Sequence, residues 1–174
     1  MSIQNFSIRP ERASDAAAIA HITATVFGPG MFTRAAYVLR EGVDHDPRLS
    51  FVATPSDAET PVASVRLTSI LWGDRKALML GPLCVLPKVK HQGLGKALMQ
   101  QAVLEAQRLA EADECPPIIM LVGDLPYYAP FGFKTVAPGK ISLPRPADPA
   151  RILACELLPQ AASGFEGACR SLKS

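Results

Sequence analysis

Apolar and polar residues alternate across Asn5-Phe6-Ser7-Ile8-Arg9, and Pro10 closes the run, which predicts a first strand. Ser14 or Asp15 is placed to cap a helix whose apolar face is Ile19, Ile22 and Val26. Gly28-Pro29-Gly30 stops it, and Thr33 is placed to cap a second helix ending near Arg40. The charged stretch from Glu41 to Arg48 predicts a loop, and Leu49 to Thr54 a strand. Val62 to Trp72 reads as a long strand, with Val65, Leu67 and Leu71 on one face and Arg66 and Thr68 on the other. Gly73-Asp74-Arg75 turns it back into Lys76 to Val85, as in an antiparallel meander. Gly81-Pro82 interrupts that last strand, and proline cannot donate to a ladder, so a bulge or a splayed edge is expected there.

A third helix is predicted from about Gly93 to Ala112, with Leu94, Ala97, Leu98, Leu104 and Leu109 facing inward. Cys115-Pro116-Pro117 breaks it. The apolar run Ile118 to Val122 then suits a buried central strand. A short helical turn at Tyr127 to Phe131, a strand at Gly132 to Val136, a proline-rich surface loop from Pro138 to Pro149 and a last strand at Arg151 to Leu158 follow. Gln160 to Ser174 is weakly patterned, a tail or an edge segment. The expected architecture is a single α/β domain over 1–174, with its core at about 6–158. Its mixed, mostly antiparallel sheet carries helices on both faces and is splayed beside Leu83 to Val85.

Composition narrows the function. A length of 174 residues suits one domain, and 48% hydrophobic with 20% charged residues is ordinary for a globular chain. A net charge of +2 with no cluster of Lys, Arg and aromatics argues against nucleic acid. Met1 to Pro10 lacks the apolar region of a secretory signal, and the apolar run Ala77 to Pro87 is far short of the roughly 20 residues a membrane span needs. A cytoplasmic protein without a membrane partner is expected. Cys84, Cys115, Cys155 and Cys169 show no CxxC pair and no metal-ligand spacing, so no metal is expected and the thiols read as small hydrophobes.

The chemistry concentrates between Leu83 and Leu98. An apolar run ends at Pro87, a basic turn bearing Gly93 and Gly95 follows, and then a long helix begins. A helix N-terminus carries roughly +0.5 of an elementary charge and attracts phosphate. Glycines let a ligand approach the main chain, and Lys90, Lys96 and His91 add positive charge. A Walker A loop would need glycine at Lys90 and Ser or Thr at Ala97. A dinucleotide fingerprint would need glycine or alanine at Leu98. Neither condition is met.

The segment Lys90-His91-Gln92-Gly93-Leu94-Gly95 resembles the coenzyme A loop of the GNAT N-acetyltransferases, Gln/Arg-x-x-Gly-x-Gly/Ala between a splayed strand and a long helix. Lys90 replaces the usual Gln or Arg, and His91 stands where glycine is common. A second family element, a tyrosine four residues before a Gly-Phe pair, matches Tyr128 before Gly132-Phe133. Leu80-Gly81-Pro82-Leu83, Val122 to Tyr128 and Ala154-Cys155-Glu156-Leu157 look most like a bacterial subgroup of predicted small acetyltransferases. The similarity covers about 6–158 and is strongest between Leu80 and Phe133.

The resemblance implies a GNAT-like fold and an acetyl transfer from acetyl-CoA, as co-substrate and without a metal, to a small-molecule or peptide amine. The amine attacks directly in a ternary complex. Backbone groups of Leu83, Cys84 and Val85 would pair with the pantetheine arm. Amides from His91, Gln92, Gly93, Leu94, Gly95 and Lys96, with Lys90 beside them, would hold the pyrophosphate. Tyr128 is the candidate acid for the leaving thiolate, with Tyr127 as the alternative. Asp124, Glu41, Asp44 and His45 are candidate bases. Cys84 reads as a structural thiol. Phe27, Met31, Phe32 and Tyr37 are candidates for an acceptor wall or for core packing. A silent acyl-CoA-binding or regulatory module, a transferase for a longer acyl-CoA, and a homodimer through the C-terminal edge stay open.

Overall fold

The computed structural model describes residues 5–173, without the side chains of Phe32 and Thr33. The described strands are β1 (Phe6–Pro10), β2 (Phe51–Pro55), β3 (Ala63–Trp72), β4 (Arg75–Val85), β5 (Ile118–Val122), β6 (Lys134–Thr135), β7 (Ile141–Ser142), β8 (Ile152–Glu156) and β9 (Gly167–Ser171). The helices are α1 (Ala16–Phe27), α2 (Ala35–Arg40), α3 (Leu94–Glu111) and the single turn α4 (Leu125–Tyr128). The strands form one mixed sheet in the order β1-β2-β3-β4-β5-β8-β6, with β9 on β3 and β7 on β9. Its pairs are antiparallel except β4 with β5 and β7 with β9.

Both faces of the sheet are covered, so its central strands are apolar on both sides. Val65, Leu67, Leu78 and Leu80 pack with Leu94, Leu98, Met99, Ala102 and Ala106 of α3. On the opposite face Ile70, Trp72, Met79 and Met120 pack with Leu39 of α2 and with Phe165. Leu104 does not join the α3 face and is 63% exposed, so its inward assignment is corrected. At 3.6 residues per turn it lies about 120° from Leu98, off a stripe that Met99, Ala102 and Ala106 complete.

Local capping differs in detail from expectation. Asp15 is the N-cap of α1 but makes no side-chain cap bond. Its carboxylate accepts from Arg9 at 2.7 and 2.9 Å and from the Arg12 N–H at 2.8 Å, tying the helix entrance to β1. Arg34 occupies the N-cap of α2, and the Thr33 side chain lies outside the described residues. The C-terminal segment is the edge-strand alternative and not a tail: Trp72, Leu71 and Ile70 of β3 pair with Cys169, Arg170 and Ser171 of β9. Within the proline-rich loop, Ile141 and Ser142 form β7 beside it.

One irregularity opens the sheet between β4 and β5. On β3, Val65 pairs with Leu83 and Leu67 with Leu80, so Gly81 and Pro82 together oppose Arg66 alone. That two-against-one count is a β-bulge. β5 stays with β4 only at Leu78 and Met79. Beyond the bulge the two strands separate, while β5 remains paired with β8 along its whole length.

Candidate active site: a cleft between two diverging strands

The gap between β4 and β5 opens into a cavity of about 1220 Å³. Its walls come from β4 after Leu80, the loop into α3, the end of β5, α4, and the helices α1 and α2. Leu83, Val85, Lys90, His91, Gly93, Leu94, Gly95, Lys96 and Tyr128 all line it.

The register of β4 decides which main-chain groups face the gap. The Leu86 N–H donates to the Val62 carbonyl at 2.9 Å. In an antiparallel ladder bonded pairs alternate, so Ser64 with Cys84 is the next bonded pair. The N–H and C=O of Leu83 and Val85 therefore point away from β3, toward the edge that β5 has left. The Cys84 main chain points at β3 instead. Its thiol is buried on the α1 side, 3.9 Å from the Thr23 hydroxyl, and burial pushes it up to about 11. That makes a poor nucleophile.

The loop supplies a second set of unused donors. None of the backbone N–H groups of residues 91–96 donates to a protein acceptor among the described residues. Gly93 is the N-cap of α3 at φ +81°, and His91 also holds a left-handed φ of +64°. Glycine takes that conformation without the cost a side chain adds. The exposed side chains of Lys90, His91 and Lys96 rim this end of the cavity. Gln92 does not line it, and its buried Oε1 has no hydrogen-bond partner.

The aromatic pair sits across the gap. Tyr127 and Tyr128 stack edge to face with ring centroids 4.8 Å apart, and Tyr128 packs at 5.9 Å on Phe133. Phe133 is buried, and Gly132 before it takes φ +91°, so the Gly-Phe pair is the turn and anchor that fix the tyrosine. Gly123 lies against the Tyr128 ring and leaves no room for a methyl there. The Tyr127 hydroxyl instead packs on Gly95, where a methyl would sit 2.6 Å from it. Burial pushes the Tyr128 hydroxyl up to about 12, with Tyr127 and Asp124 adding to the effect. Burial also raises Tyr127.

Of the candidate bases only Asp124 reaches the cavity, and Arg151 donates to it at 3.1 Å. His45 lies 3.3 Å from Glu11, outside the cavity. Neither Glu41 nor Asp44 lines it. Phe27, Met31 and Tyr37 do line it, and the Phe32 side chain lies outside the described residues. Arg40 is a wall residue that no sequence motif flags.

A splayed, mostly antiparallel sheet with a free strand edge and free helix-N-terminal amides offers main-chain donors to an extended, anionic ligand. The chain belongs to the GNAT acetyltransferase family, whose model matches residues 17–133. A GNAT-family N-acetyltransferase of Escherichia coli, YhbS, solved with CoA, superposes with a TM-score of 0.75 at 21% identity, covering 97% of this chain and 91% of that one. A GNAT-family acetyltransferase of Brucella melitensis, solved with acetyl-CoA, is 26% identical with a TM-score of 0.61, covering 88% and 89%. The ribosomal-protein-S18-alanine N-acetyltransferase of Escherichia coli reaches 0.58 at 17% identity, covering 87% and 94%. No curated protein sequence matches. Among the described residues no group of His, Cys, Asp or Glu could hold a metal, and no helix is long and apolar enough to cross a membrane.

Proposed function

We propose that this chain, as one domain, transfers an acetyl group from acetyl-CoA to an amine held in the same cleft. One observation carries the reading. The free edge of Leu83 and Val85 leads directly to six unbonded N–H groups at residues 91–96, with Tyr128 in the same cavity. The two amide sets fit the two ends of coenzyme A. An extended, amide-bearing arm can add to the strand edge as a further strand. The pyrophosphate can sit at the α3 N-terminus, with Lys90 and Lys96 neutralising its charge.

When bound, acetyl-CoA supplies a thioester activated toward attack by an amine. The chain's contribution is positioning and proton handling. Two substrates held in one cleft react as an effectively intramolecular pair. Tyr128 keeps its proton throughout the neutral range, so its donor form is fully populated for the leaving sulfur. Tyr127 is the weaker candidate because its hydroxyl is packed on Gly95 in the phosphate loop. Asp124, at the cavity wall, is the side chain through which a water could take the proton of the amine.

The test is free-thiol release from acetyl-CoA across a panel of amines, peptides and amino acids, for the native chain and for Tyr128→Phe. Loss of a positioned acid lowers turnover by about 10²- to 10⁴-fold, with the KM for acetyl-CoA unchanged. An unaltered rate removes Tyr128 from the mechanism. Binding of acetyl-CoA without thiol release for any acceptor identifies a silent binder.

A further inference from the structure

We infer that Arg40 is the specificity-determining residue of the acceptor site, and that the amine this enzyme acetylates carries a carboxylate. The inference rests on the transferase reading above. Arg40 ends α2, and its Nε donates to the Ala36 carbonyl at 2.8 Å. That bond fixes the side chain over the bulge of β4, with Cζ and Nη1 each 4.0 Å from where a methyl at Gly81 would stand. The remaining guanidinium N–H groups donate to no acceptor among the described residues, and no carboxylate pairs with Arg40.

Glu11, beside Arg66, and the two acids that line the cavity are committed elsewhere. Glu11 accepts from Arg66 at 2.6 Å and lies 3.3 Å from His45. Asp124 pairs with Arg151, and Asp148 caps the Ala150 N–H at 2.9 Å. Around Arg40 the wall is mostly apolar, formed by Val26, Phe27, Met31, Ala36 and Tyr37, with Arg34 stacked over the Phe27 ring at 5.3 Å. A cation turned into an apolar pocket without a counter-ion is costly, and the cost is relieved when a ligand brings the anion. Burial holds the guanidinium down at about 10, and the neighbouring Arg66 adds to the effect.

Position separates this anion from those of coenzyme A. Along β4 the order is Gly81 beside Arg40, then the free edge at Leu83 and Val85, then the phosphate loop at 91–96. Arg40 and the phosphate loop thus flank opposite ends of the free edge. The cofactor's phosphates belong at the loop, and the acceptor belongs at Arg40. A planar fork with free N–H groups matches a carboxylate in bidentate fashion. The few polar groups in an apolar pocket are those that orient the ligand. The acceptor class is therefore a small amino acid or a related amino-carboxylic acid.

The experiment compares matched pairs, the L-amino acids and their carboxamides, as acceptors in the thiol-release assay with the whole chain. The expected result is at least a tenfold higher kcat/KM for the carboxylate member of the best pair. In Arg40→Gln the preference collapses toward unity, in Arg40→Lys part of it survives, and the KM for acetyl-CoA stays unchanged in both. Equal rates for acid and amide in the native chain overturn the inference, whether or not the variants fold. So does an equal loss for both members in Arg40→Gln, and so does silence toward every amino acid by a chain whose melting temperature acetyl-CoA raises. If acetyl-CoA produces no thermal shift at all, the transferase reading itself has failed, which is a distinct result.

Discussion

Gly95 is the second residue of α3, and the Tyr127 hydroxyl fills the place of its missing side chain. A methyl there would lie 2.6 Å from Tyr127 Oη and 3.7 Å from Val85 Cγ2. A contact under 3.0 Å forces a shift. The Tyr127 ring is not free to give way, because it stacks on Tyr128 at 4.8 Å and on Phe131 at 6.4 Å. Overpacking of this kind costs about 1–3 kcal/mol, while alanine in a helix gains at most about 1 kcal/mol over glycine. Gly95→Ala is thus expected to destabilise by about 1 kcal/mol. With Tyr127→Phe the hydroxyl is gone and the nearest ring atom is Cζ at 3.8 Å, an ordinary contact. In that background Gly95→Ala should be neutral or stabilising, a coupling of about 1–2 kcal/mol. Urea unfolding of the four proteins, followed by circular dichroism with a shared m-value, measures it. The same cost for Gly95→Ala in both backgrounds refutes the packing argument.

Three further outcomes follow from single contacts. Burial opposes ionisation of Glu11, but hydrogen bonds from His45 and Arg66 override it and lower its carboxyl from 4.5 to about 2. Its contribution is therefore complete above pH 4.5 and is lost as the pH falls toward 2. Solvent screening brings it to on the order of 1–2 kcal/mol, and Glu11→Gln should flatten the stability profile in that window. His91→Gly removes a left-handed side chain and should raise the urea midpoint, by up to about 1 kcal/mol of stability. Leu98→Ala should cost about 2–5 kcal/mol, whereas Leu104→Ala, at an exposed position, should stay within about 0.5 kcal/mol by the same titration.

The sequence carries the site more plainly than it carries the edges of the fold. Gly81-Pro82 inside a strand is a chemical contradiction, since proline lacks the N–H a ladder needs, and the bulge between Leu80 and Leu83 resolves it. The turn at 90–96 is equally legible, because glycine and a helix start leave a physical signature in residue types. β9 leaves almost none. Of Gly167 to Ser171 only Cys169 is buried, and the strand exists through main-chain pairing with β3. Gly73 and Gly167 make that docking possible: the Gly73 N–H donates to the Ala168 carbonyl at 3.0 Å, a side chain on Gly73 would meet the Glu166 carbonyl, and one on Gly167 would come within 3.3 Å of the Gly73 Cα. Leu104 shows that helical phase outweighs apolar character: it is exposed despite its side chain. Arg40 is inconspicuous in the sequence, because an arginine closing a short helix is ordinary; only the tertiary fold shows that no acid among the described residues pairs with it.

The cleft between β4 and β5 is the centre of this account, and amide NMR with coenzyme A tests it most directly. Titration should shift the N–H signals of residues 91–96 together with those of Leu83 and Val85, while Cys84, whose N–H already faces Ser64, moves little. Shifts that bypass these residues, or a spectrum unchanged at saturating coenzyme A, would contradict the assignment of this cleft.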